Sequence, residues 1–149
     1  LLYFYSNDGA VHIRLPSGRP LVYTKVEVRQ ERKKVIYIDG KGGRQESEFG
    51  GYDITWGRKK TKLYGGKIVE NIIQGIARDI LVDTMKRFEG NNWKVLFHIH
   101  DEICCQVPVN RSAACLDALI FEWRKGPEWM DGLKLDAEGY EGESLLEIA

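Results

Sequence analysis

Cysteine and proline are scarce in this sequence, with three of the former and four of the latter among 149 residues. Cys104 and Cys105 are adjacent, Cys115 is left over, and no CxxC spacing occurs. The pattern therefore excludes a framework of paired disulfides. We interpret the three cysteines as reduced, half-buried thiols of an intracellular protein.

Long hydrophobic runs are also missing. No segment reaches the roughly 20 apolar residues that a transmembrane helix needs. The N-terminus, LLYFYSNDGA, has neither the basic lead nor the apolar block of a signal peptide. The pattern predicts a cytoplasmic protein without a membrane partner. Because the chain begins without methionine, at an apolar run typical of a strand, we expect a piece of a longer protein whose N-terminal part is missing.

The net charge is zero, but the two parts of the chain differ in sign. Residues 1–67 contain 14 Lys and Arg against 7 Asp and Glu, a balance of +7, and residues 68–149 contain 8 against 15, a balance of −7. This asymmetry favours a surface that faces a polyanion and a separate region that bears carboxylates. With 43% hydrophobic residues, the chain 1–149 is expected to form a single domain with a buried core.

Residues 1–60 have the pattern of β-hairpins. Short β-branched and aromatic runs alternate with turn signals such as PSGRP. LPSGRPLVY predicts a hairpin with Ser17-Gly18 at its turn, whereas the polar, Gly-rich stretch 29–51 is the least clearly patterned. The predicted strands are Tyr3–Tyr5, Val11–Leu15, Leu21–Val28, Val35–Ile38 and Tyr52–Trp56.

The period changes after residue 67. Apolar pairs recur every four residues, which predicts a long amphipathic helix over 68–88, ended by the Gly-Asn-Asn cluster at 90–92. Its buried face is expected to contain Ile72, Ile76 and Ile80.

A tight hairpin and a second helix are predicted to follow in the segment 67–149. The hairpin strands are Trp93–Ile99 and Ile103–Val107, and Asn110 is the expected N-cap of the second helix. The buried face of that helix is predicted to hold Leu116, Leu119, Ile120 and Trp123. The sum is an α+β fold: an antiparallel, β-rich N-terminal part, a long helix, a β-hairpin and a C-terminal helix with a Gly-rich tail.

The predicted hairpin is interrupted at its tip by His100, Asp101 and Glu102. A tight turn needs polar residues, so a purely structural explanation is available. However, the tip contains neither Gly nor Asn, and carboxylates between apolar strands are costly to bury unless a cation neutralises them. Because Mg²⁺ prefers carboxylate oxygens, Asp101 and Glu102 are candidate magnesium ligands.

Several segments together resemble one known family. FHIHDEICCQVP resembles motif C of the family A DNA polymerases, a strand–turn–strand that carries His-Asp-Glu. KLYGGKIVENIIQGIARDILVDTM is similar to the palm helix just upstream of that motif, especially in the phage-type branch with its Gln and ARD signature. VHIRLPSGRPLVY resembles the hairpin before that helix, and WMDGLKLDAEGY resembles the C-terminus of phage-type members. The order and spacing match from about residue 11 to 140.

This resemblance implies the partial palm of a DNA-directed DNA polymerase, encoded by a phage or prophage and acting in the bacterial cytoplasm. In that family a 3′-hydroxyl attacks the α-phosphate of a nucleotide while two Mg²⁺ ions carry the developing charge. The implied partners are primer–template DNA and a deoxynucleoside triphosphate. By position in the motif, Asp101 matches the metal ligand, Glu102 the supporting acid and His100 the residue against the primer terminus. Gln74 matches the helix glutamine that contacts the minor groove.

The helix geometry is consistent with a DNA-facing stripe. At 100° per residue, Lys67, Asn71, Gln74 and Arg78 fall on one polar face, opposite the isoleucines, although such a face is more often simply solvated. The family pattern places an arginine or asparagine one and two turns before Gln74, where this sequence has Glu70 and Gly66, so Lys67 and Asn71 are candidate substitutes. Further basic residues predicted to lie along the DNA backbone are Arg14, Arg19, Lys59 and Lys60.

Two parts of the family's catalytic machinery are absent from the sequence. The second catalytic aspartate belongs to an Asp-Tyr-Ser-type strand, and the nucleotide is gripped by a fingers helix with Lys and Tyr. The early acids lack that context; they are Asp8, Glu27, Glu31 and Asp39. Because two-metal catalysis needs carboxylates from both strands, the isolated chain is expected to be inactive as a polymerase.

Other interpretations stay open. Asp101 and Glu102 could form a stand-alone metal-dependent nuclease or phosphohydrolase, or the chain could be a non-catalytic DNA-binding module on a palm scaffold. A homodimer through strand edges left bare is a further alternative. His98 and His100 with a nearby cysteine could suggest zinc, but structural zinc normally uses CxxC or HxxxH spacing.

Overall fold

The described residues form antiparallel sheets and two α-helices, which confirms the predicted α+β class. The computed structural model describes residues 2–7, 9–38, 40 and 42–144. Backbone contacts divide the chain into an N-terminal unit, Leu1–Ile72, and a C-terminal unit, Ile73–Ala149. Within the described ranges, neither helix combines the length and the apolar character that crossing a bilayer requires.

The described part of the N-terminal unit contains two three-stranded antiparallel sheets. Each sheet follows chain order, so neighbouring strands are joined by hairpins. The first sheet consists of β1 (Tyr3–Asn7), β2 (Ala10–Arg14) and β3 (Pro20–Thr24). The second consists of β4 (Glu27–Ile38), β5 (Arg44–Trp56) and β6 (Thr61–Leu63).

The turn between β2 and β3 is the hairpin that the sequence predicts. The backbone N–H of Gly18 donates to the carbonyl of Leu15 at 2.9 Å, and the N–H of Leu15 donates to the carbonyl of Arg19 at 2.9 Å. Gly18 has a φ of +89°, a backbone conformation that glycine adopts without steric cost. The turn signal was therefore sufficient to place this hairpin.

The strand predicted over Leu21–Val28 is wrong as a single element. It is broken after Thr24, where Lys25 has a φ of +53°, and a new strand, β4, begins at Glu27. The stretch 29–51, which lacked a clear pattern, lies within a long two-stranded hairpin of β4 and β5.

The long hairpin of β4 and β5 was not predicted because its sequence does not alternate between polar and apolar residues. The adjacent residues Ile36 and Tyr37 point to opposite faces and are each 47% exposed, so neither face is buried there. Alternation of polar and apolar residues arises only where one face of a strand packs on a core.

The core of the N-terminal unit is centred on Tyr23. Its ring meets Trp56 edge to face, with ring centroids 5.2 Å apart, and its hydroxyl accepts a hydrogen bond from Asn71 Nδ2 at 3.0 Å. A buried aromatic ring with a satisfied hydroxyl anchors neighbouring elements strongly. Among the residues of this unit whose side chains the structure describes, the other buried apolar ones are Ala10, Ile13, Leu15, Leu63 and Ile72.

The long helix α1 runs from Gly65 to Gly90, close to the predicted range. It ends where the Gly-Asn-Asn cluster predicted, and Asn92 follows with a φ of +64°. Ile72 and Ile80 are buried as expected, whereas Ile76 is half-buried.

The apolar pairs of α1 are not buried as pairs. Val69 and Ile73 are 54% and 59% exposed. In the second half of the helix the buried residues are Ile80, Leu81, Thr84 and Phe88. The buried face therefore shifts around the helix between its two halves, which a single periodic stripe does not predict.

The C-terminal unit continues with a hairpin and a second helix. The hairpin consists of β7 (Val95–Ile99) and β8 (Glu102–Cys105), and the helix α2 spans Ser112–Lys125. The prediction of Asn110 as N-cap is wrong. Asn110 lies inside a 3-10 turn that precedes α2, and the N-cap position has no side-chain hydrogen bond.

The predicted apolar face of α2 is only half-buried, at Leu116, Leu119, Ile120 and Trp123. The most buried positions of this helix are Cys115 and Glu122. A carboxylate was therefore buried where the pattern predicted only apolar contacts.

Glu122 joins α2 to the end of α1. Its carboxylate accepts hydrogen bonds from Arg87 Nε at 3.1 Å and from Asn91 Nδ2 at 2.8 Å. Its backbone carbonyl accepts a further bond from Arg87 Nη2 at 2.6 Å, and Arg87 also pairs with Asp83. Since Glu122 is only 6% exposed, the pairing offsets a large desolvation cost.

We expect Glu122→Ala to destabilise the C-terminal unit by about 2 to 4 kcal/mol, because the substitution leaves Arg87 and Asn91 without their shared acceptor in a partly buried site. Urea unfolding monitored by circular dichroism measures the change. Asp117→Ala, an exposed carboxylate on the same helix, is the matched control and is expected to change stability by less than about 0.5 kcal/mol. Equal effects of the two substitutions would contradict this account.

Candidate metal and nucleic-acid site

The tip of the hairpin is a two-residue turn. Ile99 pairs with Glu102 across the two strands, which leaves only His100 and Asp101 in the loop. His100 has a φ of +51°, a left-handed conformation that costs about 1 kcal/mol or more for a residue with a Cβ. Because glycine or asparagine would avoid most of that cost, the presence of histidine at this position is consistent with a functional requirement.

The two acids of the tip are not buried, contrary to expectation. The two carboxylates were expected to lie between buried strands, but Asp101 and Glu102 are both exposed. The hairpin itself is open to solvent on part of its surface, with Leu96 53% and Ile99 55% exposed. No cation is therefore needed to offset the burial of these acids.

The exposed acids remain suitable as metal ligands. Among the ion pairs of the described residues, neither Asp101 nor Glu102 has a cationic partner. Their oxygens are the type of donor that Mg²⁺ prefers. However, the described part of the chain contains no group of three or more His, Cys, Asp or Glu side chains placed to hold a metal ion. The donor set fits a hard cation but is incomplete, so further ligands would have to come from a nucleotide, water or another segment.

Two members of the predicted helix stripe belong to the same unit as the hairpin. Gln74 and Arg78 are both exposed on α1. Arg78 Nη2 lies 3.3 Å from Nε2 of His98, which is on β7. This contact joins the polar face of the helix to the hairpin that carries Asp101. The sequence pattern indicated His98 only as a zinc ligand, because no local signal predicts a contact between α1 and β7.

The other two members of the stripe lie in the N-terminal unit and already have partners. Lys67 Nζ is 2.9 Å from Glu70 Oε2, and this carboxylate raises the pKa of Lys67. Asn71 is half-buried and donates to Tyr23. The charge of Lys67 is partly neutralised, and the amide of Asn71 serves the core of its own unit.

Of the basic residues predicted to lie along a DNA backbone, one is paired with an acid and three are exposed. Lys60 lies in the turn between β5 and β6 and pairs with Glu27 at 3.2 Å. Hydrogen bonding from Lys60 lowers the pKa of the Glu27 carboxyl. Lys59 is exposed in the same turn, and Arg14 and Arg19 are exposed near the turn that joins β2 and β3. All four residues belong to the N-terminal unit.

Two cysteines of the C-terminal unit, Cys105 and Cys115, are poorly ionisable. Burial raises the pKa of Cys105, on β8, to about 12, and the nearby Cys115 contributes to the increase. Burial also raises the pKa of Cys115, on α2. The thiolate is the reactive form of cysteine, so these two side chains act as packing groups between β8 and α2.

The early acids of the sequence are Asp8, Glu27, Glu31 and Asp39, and one of them has an identified ion-pair partner in the structure. Glu27 pairs with Lys60 and Arg29. Asp8 and Asp39 lie outside the described residues.

The sequence of the chain is similar to that of a DNA polymerase. It is 35% identical over 142 residues to the DNA polymerase of Bacillus phage SP02, an alignment that covers 93% of this chain. The chain spans 20% of the length of that relative. No family model matches the sequence, and no solved structure matches it. The similarity establishes a relationship to a DNA polymerase over most of the chain.

We expect His100→Gly to raise the free energy of unfolding by about 0.5 to 1 kcal/mol, because glycine adopts a positive φ without the steric cost of a Cβ. Urea denaturation of the two proteins measures the difference. Asn92→Gly is the matched control at a second positive φ, and it is expected to have a smaller effect because asparagine tolerates this conformation. A loss of stability in His100→Gly would show that the imidazole makes stabilising contacts.

A pH dependence follows from Cys105. An unfolded cysteine has a pKa near 8.5, whereas burial raises the pKa of Cys105 in the folded state to about 12. Between these values the folded state binds more protons than the unfolded state, so the contribution of Cys105 to stability is present below about pH 8.5 and falls as the pH rises. Unfolding free energies at pH 8 and pH 10 are expected to fall more in the wild type than in Cys105→Ala. Identical slopes would contradict the raised pKa.

Proposed function

We propose that this chain is the C-terminal palm portion of a phage-type family A DNA polymerase, with the hairpin β7–β8 as its motif C. The observation that carries the proposal is an exposed acidic tip on a hairpin that contacts the preceding helix, in a chain similar to a phage DNA polymerase over 93% of its length. The reaction is template-directed transfer of a nucleotide to a primer 3′-hydroxyl. The parent protein would act in DNA replication in the bacterial cytoplasm, encoded by a phage or prophage.

The residues of the tip take the roles that the motif implies. Asp101 and Glu102 are exposed and have no cationic partner among the ion pairs of the described residues, and Asp101 is the ligand whose loss would matter most. His100 is held in a strained turn next to Asp101, a position suited to a residue that lies against the primer terminus. The two-residue turn and the first residue of β8 place the three residues next to one another at the end of the hairpin.

Magnesium is the cofactor that fits these donors. Bound Mg²⁺ would neutralise charge that develops on the phosphate during nucleotidyl transfer. Asp101 and Glu102 would hold one side of the metal site. The described residues do not complete a ligand set, and the remaining carboxylate is proposed to come from the Asp-Tyr-Ser-type strand of the parent protein.

Primer–template DNA is the proposed partner of the polar face of α1. Gln74 is exposed and its amide can donate to the acceptors of the minor groove, largely without regard to sequence. Arg78 is exposed and has no carboxylate partner among the ion pairs of the described residues, which leaves its charge available to a phosphate. Further proposed contacts with the DNA backbone come from the N-terminal unit. They are the basic residues Arg14, Arg19, Lys59, Lys60 and Lys67, together with the amide of Asn71.

A chimaera tests the proposal. The aligned segment of the Bacillus phage SP02 DNA polymerase is replaced by this chain, and extension of a labelled primer is measured with Mg²⁺ and the four nucleotides. We expect extension, reduced by about 10²- to 10⁴-fold in Asp101→Ala, because a lost metal ligand removes several kcal/mol of charge stabilisation. Asp117→Ala, an exposed carboxylate on α2, is the matched control and is expected to retain activity.

The alternative functions predict different outcomes. A folded chimaera that extends primers equally well with Asp101→Ala would contradict the role of the tip. A folded chimaera that binds primer–template but does not extend it would favour a non-catalytic DNA-binding module. Hydrolysis of DNA by the 149-residue chain alone, lost in Asp101→Ala, would favour a nuclease. Primer extension by the isolated chain would contradict the need for a carboxylate from outside it.

A further inference from the structure

We propose that His98 is a positioning residue that orients Arg78 toward DNA. This inference rests on the proposed function and adds to it a residue that takes no part in the chemistry. The two side chains come from different elements, β7 and α1, and meet at 3.3 Å through Nε2 of His98 and Nη2 of Arg78.

The chemistry of the pair determines which group donates. A guanidinium carries only donors and stays protonated at any physiological pH. Nε2 of His98 must therefore accept, so the imidazole is neutral and carries its proton on Nδ1. This tautomer is a specific and measurable consequence of the contact, since a neutral imidazole in water carries its proton mainly on Nε2.

A neutral acceptor orients Arg78 without cancelling its charge, whereas a carboxylate would do both. The ammonium groups of Lys60 and Lys67 are oriented by acids, Glu27 and Glu70, which also cancel much of their field. His98 restricts the guanidinium without contributing an opposing charge. Arg78 thus keeps its full attraction for a phosphate while losing rotamer freedom before DNA arrives, which lowers the entropic cost of binding.

The location of the pair supports the same conclusion. Arg78 lies one helical turn beyond Gln74 on α1, and His98 lies on the strand that leads into the tip with Asp101. Both side chains are exposed, so the contact adds little to the stability of the fold. A role in binding and a role in folding therefore make different predictions.

The first experiment measures the tautomer. Long-range ¹H–¹⁵N spectra of the 149-residue chain are assigned for its three histidines, His12, His98 and His100, by single substitutions. We expect the Nδ1–H form at His98 in the wild type and a shift toward the Nε2–H form in Arg78→Leu. A predominant Nε2–H form in the wild type, or no change in Arg78→Leu, would overturn the proposal.

The second experiment measures binding of a labelled primer–template by fluorescence anisotropy at low salt. His98→Leu removes the acceptor and is expected to weaken binding by about fivefold, as typical for a coupled pair. His98→Gln, whose amide oxygen can accept from Arg78, is expected to stay within about twofold of the wild type. Adding His98→Leu to Arg78→Leu is expected to cause no further loss.

The outcomes separate this inference from the proposed function. If the wild type binds the duplex and Gln74→Ala weakens it while His98→Leu does not, the positioning role fails and the DNA-binding function stands. If the wild type does not bind, DNA binding by this chain fails and the orientation of Arg78 toward DNA fails with it, whatever the spectra show. Equal losses in His98→Gln and His98→Leu, or a matching loss of unfolding free energy, would show a merely structural role and overturn the proposal.

Discussion

The ion pair between Arg87 and Glu122 is the interaction on which the C-terminal unit depends. It joins the end of α1 to α2 across 35 residues of sequence, and Asn91 donates to the same carboxylate. The hairpin β7–β8 lies in the segment between Arg87 and Glu122. Because the ion pair fixes both ends of this segment, it restricts the positions that the hairpin can adopt. Trp93 restricts it further, since its ring stacks on Phe88 with centroids 5.8 Å apart and lies 4.5 Å below the guanidinium of Arg111. The exposed tip therefore belongs to a hairpin whose flanking segments are fixed by these contacts.

The electrostatics of the candidate site depend on which charges are left unpaired. Lys60 and Lys67 are paired with carboxylates, whereas Arg78 contacts the imidazole of His98. Asp101 has no cationic partner among the ion pairs of the described residues. Exposed carboxylates on the tip and an exposed guanidinium on the helix are suited to a metal ion and to a phosphate, respectively. Paired charges elsewhere contribute little to either. The proposed polymerase role accounts for this distribution, in which the exposed groups of opposite sign belong to different elements.

Local sequence signals predicted the elements that pack against a core or end at a distinct turn. The hairpin at Gly18, the helix end at Gly90 and a tight hairpin around His100 were all predicted, because turn residues and periodic burial act over short distances. The tip was expected to contain three residues, but Glu102 pairs with Ile99 and leaves only two in the loop. The long hairpin β4–β5 was largely missed, since Ile36 and Tyr37 are both exposed and leave no alternation to read. The N-cap at Asn110 was wrong, because an additional 3-10 turn precedes α2.

The sequence by itself determined the α+β order of elements, the acidic tip and the resemblance that led to a DNA polymerase. These depend on residue identity and spacing, which local geometry translates directly into structure. Only the tertiary structure decided that the two acids are exposed rather than buried, that Lys67 and Asn71 are already engaged, and that His98 faces Arg78. Each of these depends on which side chains meet across elements distant in the chain, such as α1 and β7, and no short-range pattern specifies such a meeting.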